Sequence, residues 1–153
     1  MEILITNECP KINVDIGEIE LQIGKILTTL DCNDHEISIL FIGDQGIRDL
    51  NHQFRGIDRP TDVLSFPQIS DDEPEPPGAP VLGDVAISLE TARQQSEDHG
   101  LSLKEELTLL LIHGILHLLG YDHEISAQEE ERMRKKTREL FEVIYPGKKL
   151  ADT

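Results

Sequence analysis

The segment HGILHLLGYDH, residues 113–123, decides how the chain is interpreted. Three of the six histidines lie within it, at positions 113, 117 and 123. Almost all of the remaining residues from 107 to 119 are apolar, which predicts a buried helix. Residues four apart share one face of a helix, so His113 and His117 can reach the same ligand. We therefore expect the two histidines to form one half of a site on this helix.

The residues after this helix supply the other half. Gly120 is placed to end the helix, because glycine takes the left-handed conformation at little cost. The chain can then reverse through Tyr121 and Asp122 and bring back His123 as a third ligand. Three neutral imidazoles leave the fourth position of a tetrahedral Zn²⁺ open, as in catalytic rather than closed structural sites. Asp122 either forms the turn or orients a ligand imidazole through a hydrogen bond.

The histidine spacing is shared with metzincin proteases, whose motif has Glu directly after the first His. Gly114 stands at that position, so the group that would activate water and move a proton is absent. Peptide hydrolysis is therefore not favoured, although a peptidase or other amide hydrolase stays open if another carboxylate substitutes. A non-catalytic protein in which zinc only holds the fold together also stays open. A phosphodiester needs different help, namely metal-bound hydroxide for attack and an arginine for the phosphate.

The segment FRGIDRPTDVLSFP, residues 54–67, supplies candidate arginines. Arg55 is predicted at the end of a short helix and Arg59 in the loop that follows. A guanidinium presents a planar set of donors that matches phosphate oxygens. The alternative is a solvated arginine paired with Asp58 or Asp62. Ser65, at the start of a strand, is a candidate substrate contact or a residue that makes turn hydrogen bonds.

Apolar periodicity predicts the remaining elements. Strands are expected at 1–6, 35–42, 62–66 and 81–88, the last two as a hairpin around the acidic, proline-rich loop 70–80. Helices are expected at 16–30, at 88–99 with Gly100 ending the helix, at 102–119 with a capping box at Ser102 and Glu105, and at 126–143. A further helix is expected to begin at Asp44 as N-cap and to bury Ile47, Leu50 and Phe54. The order predicts one α+β domain over residues 1–153, with about five helices packed on a small mixed sheet.

Composition limits the possible functions. A net charge of −16 opposes non-specific binding to nucleic acid. The most apolar segment, residues 107–119, is too short to span a bilayer, and the first residues lack the pattern of a signal peptide. Cys9 and Cys32 have no metal or redox spacing, which favours free thiols in the cytoplasm.

HGILHLLGYDH, FRGIDRPTDVLSFP and LGDVAIS (residues 82–88) together resemble the signature segments of the bacterial YbeY family of metal-dependent endoribonucleases. The resemblance implies a zincin-like α+β fold and cleavage of single-stranded RNA in ribosomal RNA maturation, at the 16S 3′ end, and in ribosome quality control. It implies one Zn²⁺ held by His113, His117 and His123, with Arg55 as the functional arginine. It also implies that the partners are RNA and the ribosome or its proteins rather than a membrane, and binding on the ribosome would offset the strong negative charge.

Overall fold

The computed structural model describes residues 2–68, 81–121, 126–148 and 150. Within them, four strands form one sheet and five helices pack on it. The strands are β1 (Glu2–Asn7), β2 (Glu36–Ile42), β3 (Val63–Pro67) and β4 (Val81–Ser88). The helices are α1 (Ile16–Thr29), α2 (Asp44–Arg55), α3 (Leu89–His99), α4 (Leu103–Leu118) and α5 (Ala127–Ile144). The predicted α+β class with a mixed sheet is confirmed, and the predicted loop 70–80 lies outside the described residues.

The sheet has the strand order β1-β2-β4-β3. The first three of these strands are parallel, and β3 pairs antiparallel with β4 in the predicted hairpin. The register places Val63 opposite Ile87 and Ser65 opposite Val85. Because β3 is the last strand in this order, it forms one edge of the sheet.

The two faces of the sheet are covered unequally. Alternate residues of β2, such as Ile37, Ile39 and Phe41, point into the main core, where they meet apolar residues of α1, α4 and α5. On the opposite face a smaller cluster centres on Ile47 of α2 and Leu64 of β3. None of the described helices is long and apolar enough to cross a membrane.

Helix α4 lies in the main core and has well-defined ends. Ser102 and Glu105 form the predicted capping box at its start. At its end the Gly120 amide donates to the carbonyl of His117 and the Tyr121 amide donates to that of Leu116, both at 3.0 Å. Gly120 has a φ of 94°, so the helix ends in a Schellman motif at the predicted glycine. The chain leaves α4 directly after the second histidine of the motif.

Two predictions about α2 are wrong. Gly43, not Asp44, is the N-cap, and the Asp44 carboxylate instead accepts hydrogen bonds from the hydroxyls of Ser88 and Thr91. Phe54 was expected on the buried face but is 60% exposed, with its ring edge-on to Phe66 at 5.2 Å between centroids. The ring therefore meets the small cluster around Ile47 at its rim, through Phe66, and most of its surface stays in solvent.

Candidate active site

A groove of about 940 Å³ runs between the edge strand and α5. Its floor is the one face of α4 that carries Leu109, His113 and His117. One wall is formed by residues 61–65 and 67, with Arg55 at the end of α2 beside them. The opposite wall is α5, and the turn between α3 and α4 closes one end. The groove therefore brings together the two segments that the sequence singled out.

The two helical histidines are partly exposed within an otherwise buried stretch of α4. Every residue from Leu110 to Leu118 is buried except His113 and His117, which are partly exposed to the groove. Two imidazoles one turn apart on a rigid helix are suitable donors for Zn²⁺, and the turn at Gly120 follows directly. His123 and Asp122 lie outside the described residues, so the third ligand and its partner stay predictions. The described residues by themselves contain no group of three His, Cys, Asp or Glu placed to hold a metal.

Gly114 is seated directly against the sheet. A Cβ built at this position would lie 2.6 Å and 3.1 Å from the two methyl carbons of Val85 and 3.4 Å from a methyl carbon of Val63. The carbonyl of Gly114 accepts a hydrogen bond from the Ser65 hydroxyl at 3.0 Å, which ties α4 to β3. A side chain at 114 would thus enter the interface of helix and sheet. A protease-like Glu cannot be accommodated there without displacing α4.

Arg55 has an open environment. It is exposed at the end of α2, and Gly56 ends the helix with a φ of 70°. Within the described part of the chain its guanidinium makes no hydrogen bond or ion pair. The two carboxylates considered as its partners are engaged elsewhere: Asp58 accepts two hydrogen bonds from Arg48, and Asp62 accepts from the side-chain amide of Gln95. The arginine therefore lines the groove as a positive charge that no carboxylate of the described residues pairs with.

The other two substrate contacts predicted from the sequence differ in placement. Ser65 lines the groove, and its proton is used in the hydrogen bond to α4, so only its lone pairs remain to accept from a ligand. Arg59 is exposed and is not among the lining residues in the described chain. Its backbone carbonyl accepts a hydrogen bond from the buried Asn51 amide at 2.9 Å, which fixes the loop that follows Arg55. The structure thus groups Arg55 and Ser65 with the histidines and leaves Arg59 outside.

One pair in the groove was not anticipated. The His99 imidazole lines the groove, and its Nδ1 lies 2.6 Å from a carboxylate oxygen of Glu106. Glu106 is only 1% exposed, and burial raises the pKa of its carboxyl group, although the contact with His99 acts in the opposite direction. The signal in the sequence was a glutamate on the apolar stripe of α4, two turns before His113.

Several basic residues of α5 are paired with its acidic residues. Arg132 pairs with Glu129, and Arg134 pairs with Glu130 and Glu131. The guanidinium of Arg132 also lies 4.3 Å from the centre of the Tyr121 ring. Much of the positive charge on this wall is therefore compensated locally.

Two histidines and an arginine without a carboxylate partner among the described residues therefore share one groove of an α+β fold, an arrangement suited to a hydrolytic metal site. Comparison with known proteins specifies the family. The family model described as endoribonuclease YbeY matches residues 4–145. The endoribonuclease YbeY of Persephonella marina is 46% identical over 142 residues, 93% of this chain and 92% of that protein. That of Syntrophus aciditrophicus is 39% identical over 146 residues, 95% of this chain and 91% of that protein.

A solved structure agrees with these relatives. The solution structure of a Thermotoga maritima protein superposes with a TM-score of 0.64 at 27% identity, covering 97% of this chain and 99% of that one. The chain belongs to the endoribonuclease YbeY family. The family resemblance and its assignment to a family of enzymes are thereby confirmed.

Proposed function

We propose that this protein is a zinc-dependent endoribonuclease that cuts single-stranded RNA. The observation that carries the proposal is that Arg55, whose guanidinium has no carboxylate partner among the described residues, lines the same groove as His113 and His117. A phosphodiester is the substrate that needs both groups, because its charge must be held while the phosphorus is attacked. Family membership gives the same reaction class, since the relatives are named endoribonucleases.

The zinc would be held by His113 and His117 from α4 and by His123 after the turn. The ion would supply Lewis-acid chemistry there and would lower the pKa of a bound water molecule to about 7. Gly114 lets α4 pack closely on β4 and so fixes the direction in which the two helical imidazoles project. Ser65 supports the same helix from the edge strand. The residues around the ligands thus serve to hold the imidazoles in place.

Arg55 would bind the phosphate and stabilise the charge that develops on its oxygens. Its guanidinium needs no change of partners to do this, because no carboxylate of the described chain occupies it. An enclosed groove suits unstacked nucleotides, which single strands and ends of RNA present. The net charge of −16 weakens association with free RNA, and we propose that the substrate is met on the ribosome, at the 16S 3′ end during maturation and in quality control.

The test is cleavage of an end-labelled single-stranded RNA by purified zinc-loaded protein and by Arg55→Ala and His113→Ala. Loss of one positioned charged donor should lower the rate about 100- to 1,000-fold. Arg48→Ala is the matched control, because Arg48 lies on the same helix but is paired with Asp58. If all four proteins cut equally, the activity is a contaminant and the proposal is wrong.

The same variants separate the remaining alternatives. A peptidase would turn over casein in a zinc-dependent manner, although the packing around Gly114 leaves no room for its usual glutamate. A non-catalytic assembly factor would unfold when zinc is removed, and its RNA cleavage would be absent in the wild type as well. Circular dichroism of each variant, recorded with and without chelator, distinguishes loss of folding from loss of chemistry.

A further inference from the structure

The groove extends well beyond the histidines and Arg55. Along α4, Glu106 precedes His113 by seven residues, a rise of about 10.5 Å. The groove covers this distance, because it is lined by His99, which contacts Glu106, by Leu109 and by His113. Groups at the end near His99 are therefore too far from the predicted metal ligands to contact the same atoms of a substrate.

The walls at this end are apolar. Leu101, from the turn beside His99, and Leu109, from α4, line it, and both are partly buried. Flat apolar faces of this kind suit a nucleobase taken out of the stack, which single-stranded RNA offers at little energetic expense. The walls thus favour a ring as the occupant rather than a phosphate.

The polar groups at this end favour a hydrogen-bond donor. Asp98 is exposed on the groove and makes no hydrogen bond or ion pair to the described chain. The Nδ1 atom of His99 contacts the buried carboxylate of Glu106. This contact fixes the orientation of the imidazole ring and therefore the direction of its Nε2 atom. On the opposite wall Arg134 is occupied by Glu130 and Glu131. A carboxylate beside a fixed imidazole repels a phosphate and accepts from an amino group.

We propose that the groove end formed by Asp98, His99, Leu101 and Leu109 is a subsite for a nucleobase that carries an exocyclic amino group. The base belongs to a nucleotide near the one whose phosphate lies at Arg55, so the proposal rests on the proposed function. Cytosine is the best-defined case, because its N4 amino group is the donor that Asp and Glu accept from in nucleic acids. Uracil differs from cytosine at that position by a carbonyl oxygen, which the Asp98 carboxylate repels.

Cytosine and uracil also provide the test. Binding is measured by fluorescence anisotropy with 2′-O-methyl oligo(U) and the same oligomer carrying one central cytidine. The wild type should bind the cytidine oligomer roughly tenfold more tightly, the effect of one hydrogen bond to a charged group. Asp98→Asn and His99→Gln should bring this ratio close to one. The matched control is Glu97→Gln, an exposed neighbour on α3 that is not among the described lining residues, which should keep the full preference.

A wild type that binds both oligomers equally overturns the proposal, and so does a preference that survives both variants. If His99→Gln fails to fold, Asp98→Asn alone decides, since Asp98 makes no contact that the described structure needs. Cleavage of the matching RNA oligomers is scored separately. A cytidine preference in binding without any cleavage by the wild type would refute the endoribonuclease function and leave the subsite supported.

Discussion

The close packing of Gly114 makes a quantitative prediction about α4. Replacing glycine by alanine inside a helix stabilises it by about 1 kcal/mol when there is room for the methyl group. Here the new Cβ would lie 2.6 Å from a methyl carbon of Val85, about 1 Å closer than an ordinary contact of ~3.5–4.0 Å. Overpacking of a buried site costs about 1–3 kcal/mol. Gly114→Ala should therefore lower the free energy of unfolding by up to about 2 kcal/mol.

The sign of this effect should reverse when Val85 is made smaller. In Val85→Ala the two methyl carbons nearest to the new Cβ are gone, and the next nearest atom, a methyl carbon of Val63, makes an ordinary 3.4 Å contact. The same Gly114→Ala change should then stabilise the protein by about 1 kcal/mol through helix propensity. Urea unfolding of the wild type, both single variants and the double variant gives the coupling energy directly. A coupling near zero, or a Gly114→Ala variant more stable than the wild type, would refute the packing argument.

Two further predictions concern buried polar groups. Burial raises the pKa of the Glu106 carboxyl group above its usual 4.5. The contribution of Glu106 to stability is therefore complete below pH 4.5 and is lost as the pH rises through the pKa of the folded state. Glu106→Gln should gain stability relative to the wild type as the pH is raised from 4.5 to 7. Urea unfolding at several pH values checks this, and a difference that is constant or falls with pH contradicts it. Tyr145→Phe removes a hydroxyl that lies 3.0 Å from the Gln22 amide and 3.2 Å from the buried Thr108 hydroxyl, and should cost about 1–3 kcal/mol in the same assay. Unchanged stability would show that the remaining hydrogen bond between Gln22 and Thr108 is sufficient.

Features that depend on a few consecutive residues could be predicted from the sequence. The capping box at Ser102 and Glu105 and the left-handed glycines at positions 100 and 120 each need only local chemistry, and all were predicted at the right positions. The hairpin of β3 and β4 followed from alternation and from the turn-rich segment between them. The histidine face of α4 followed from spacing alone, because a helix fixes the direction of residues four apart.

Features that depend on distant residues could not be predicted. Asp44 is a good N-cap residue, but Ser88 at the end of β4 and Thr91 in α3 donate hydrogen bonds to its carboxylate, and Gly43 takes the cap position. Nor does spacing show that Asp58 pairs with Arg48, which leaves Arg55 without a carboxylate in the described chain.

The order of the elements along the chain has a consequence for how the site is made. All four strands precede α4 in the sequence, and the strand that seats Gly114 is the last of them. During synthesis from the N-terminus, the whole sheet is available before the histidine helix leaves the ribosome. The imidazoles then emerge onto a surface that can orient them at once. Because the third predicted ligand, His123, follows α4, a nascent chain could complete the proposed zinc site only after the strands and α4 have been made.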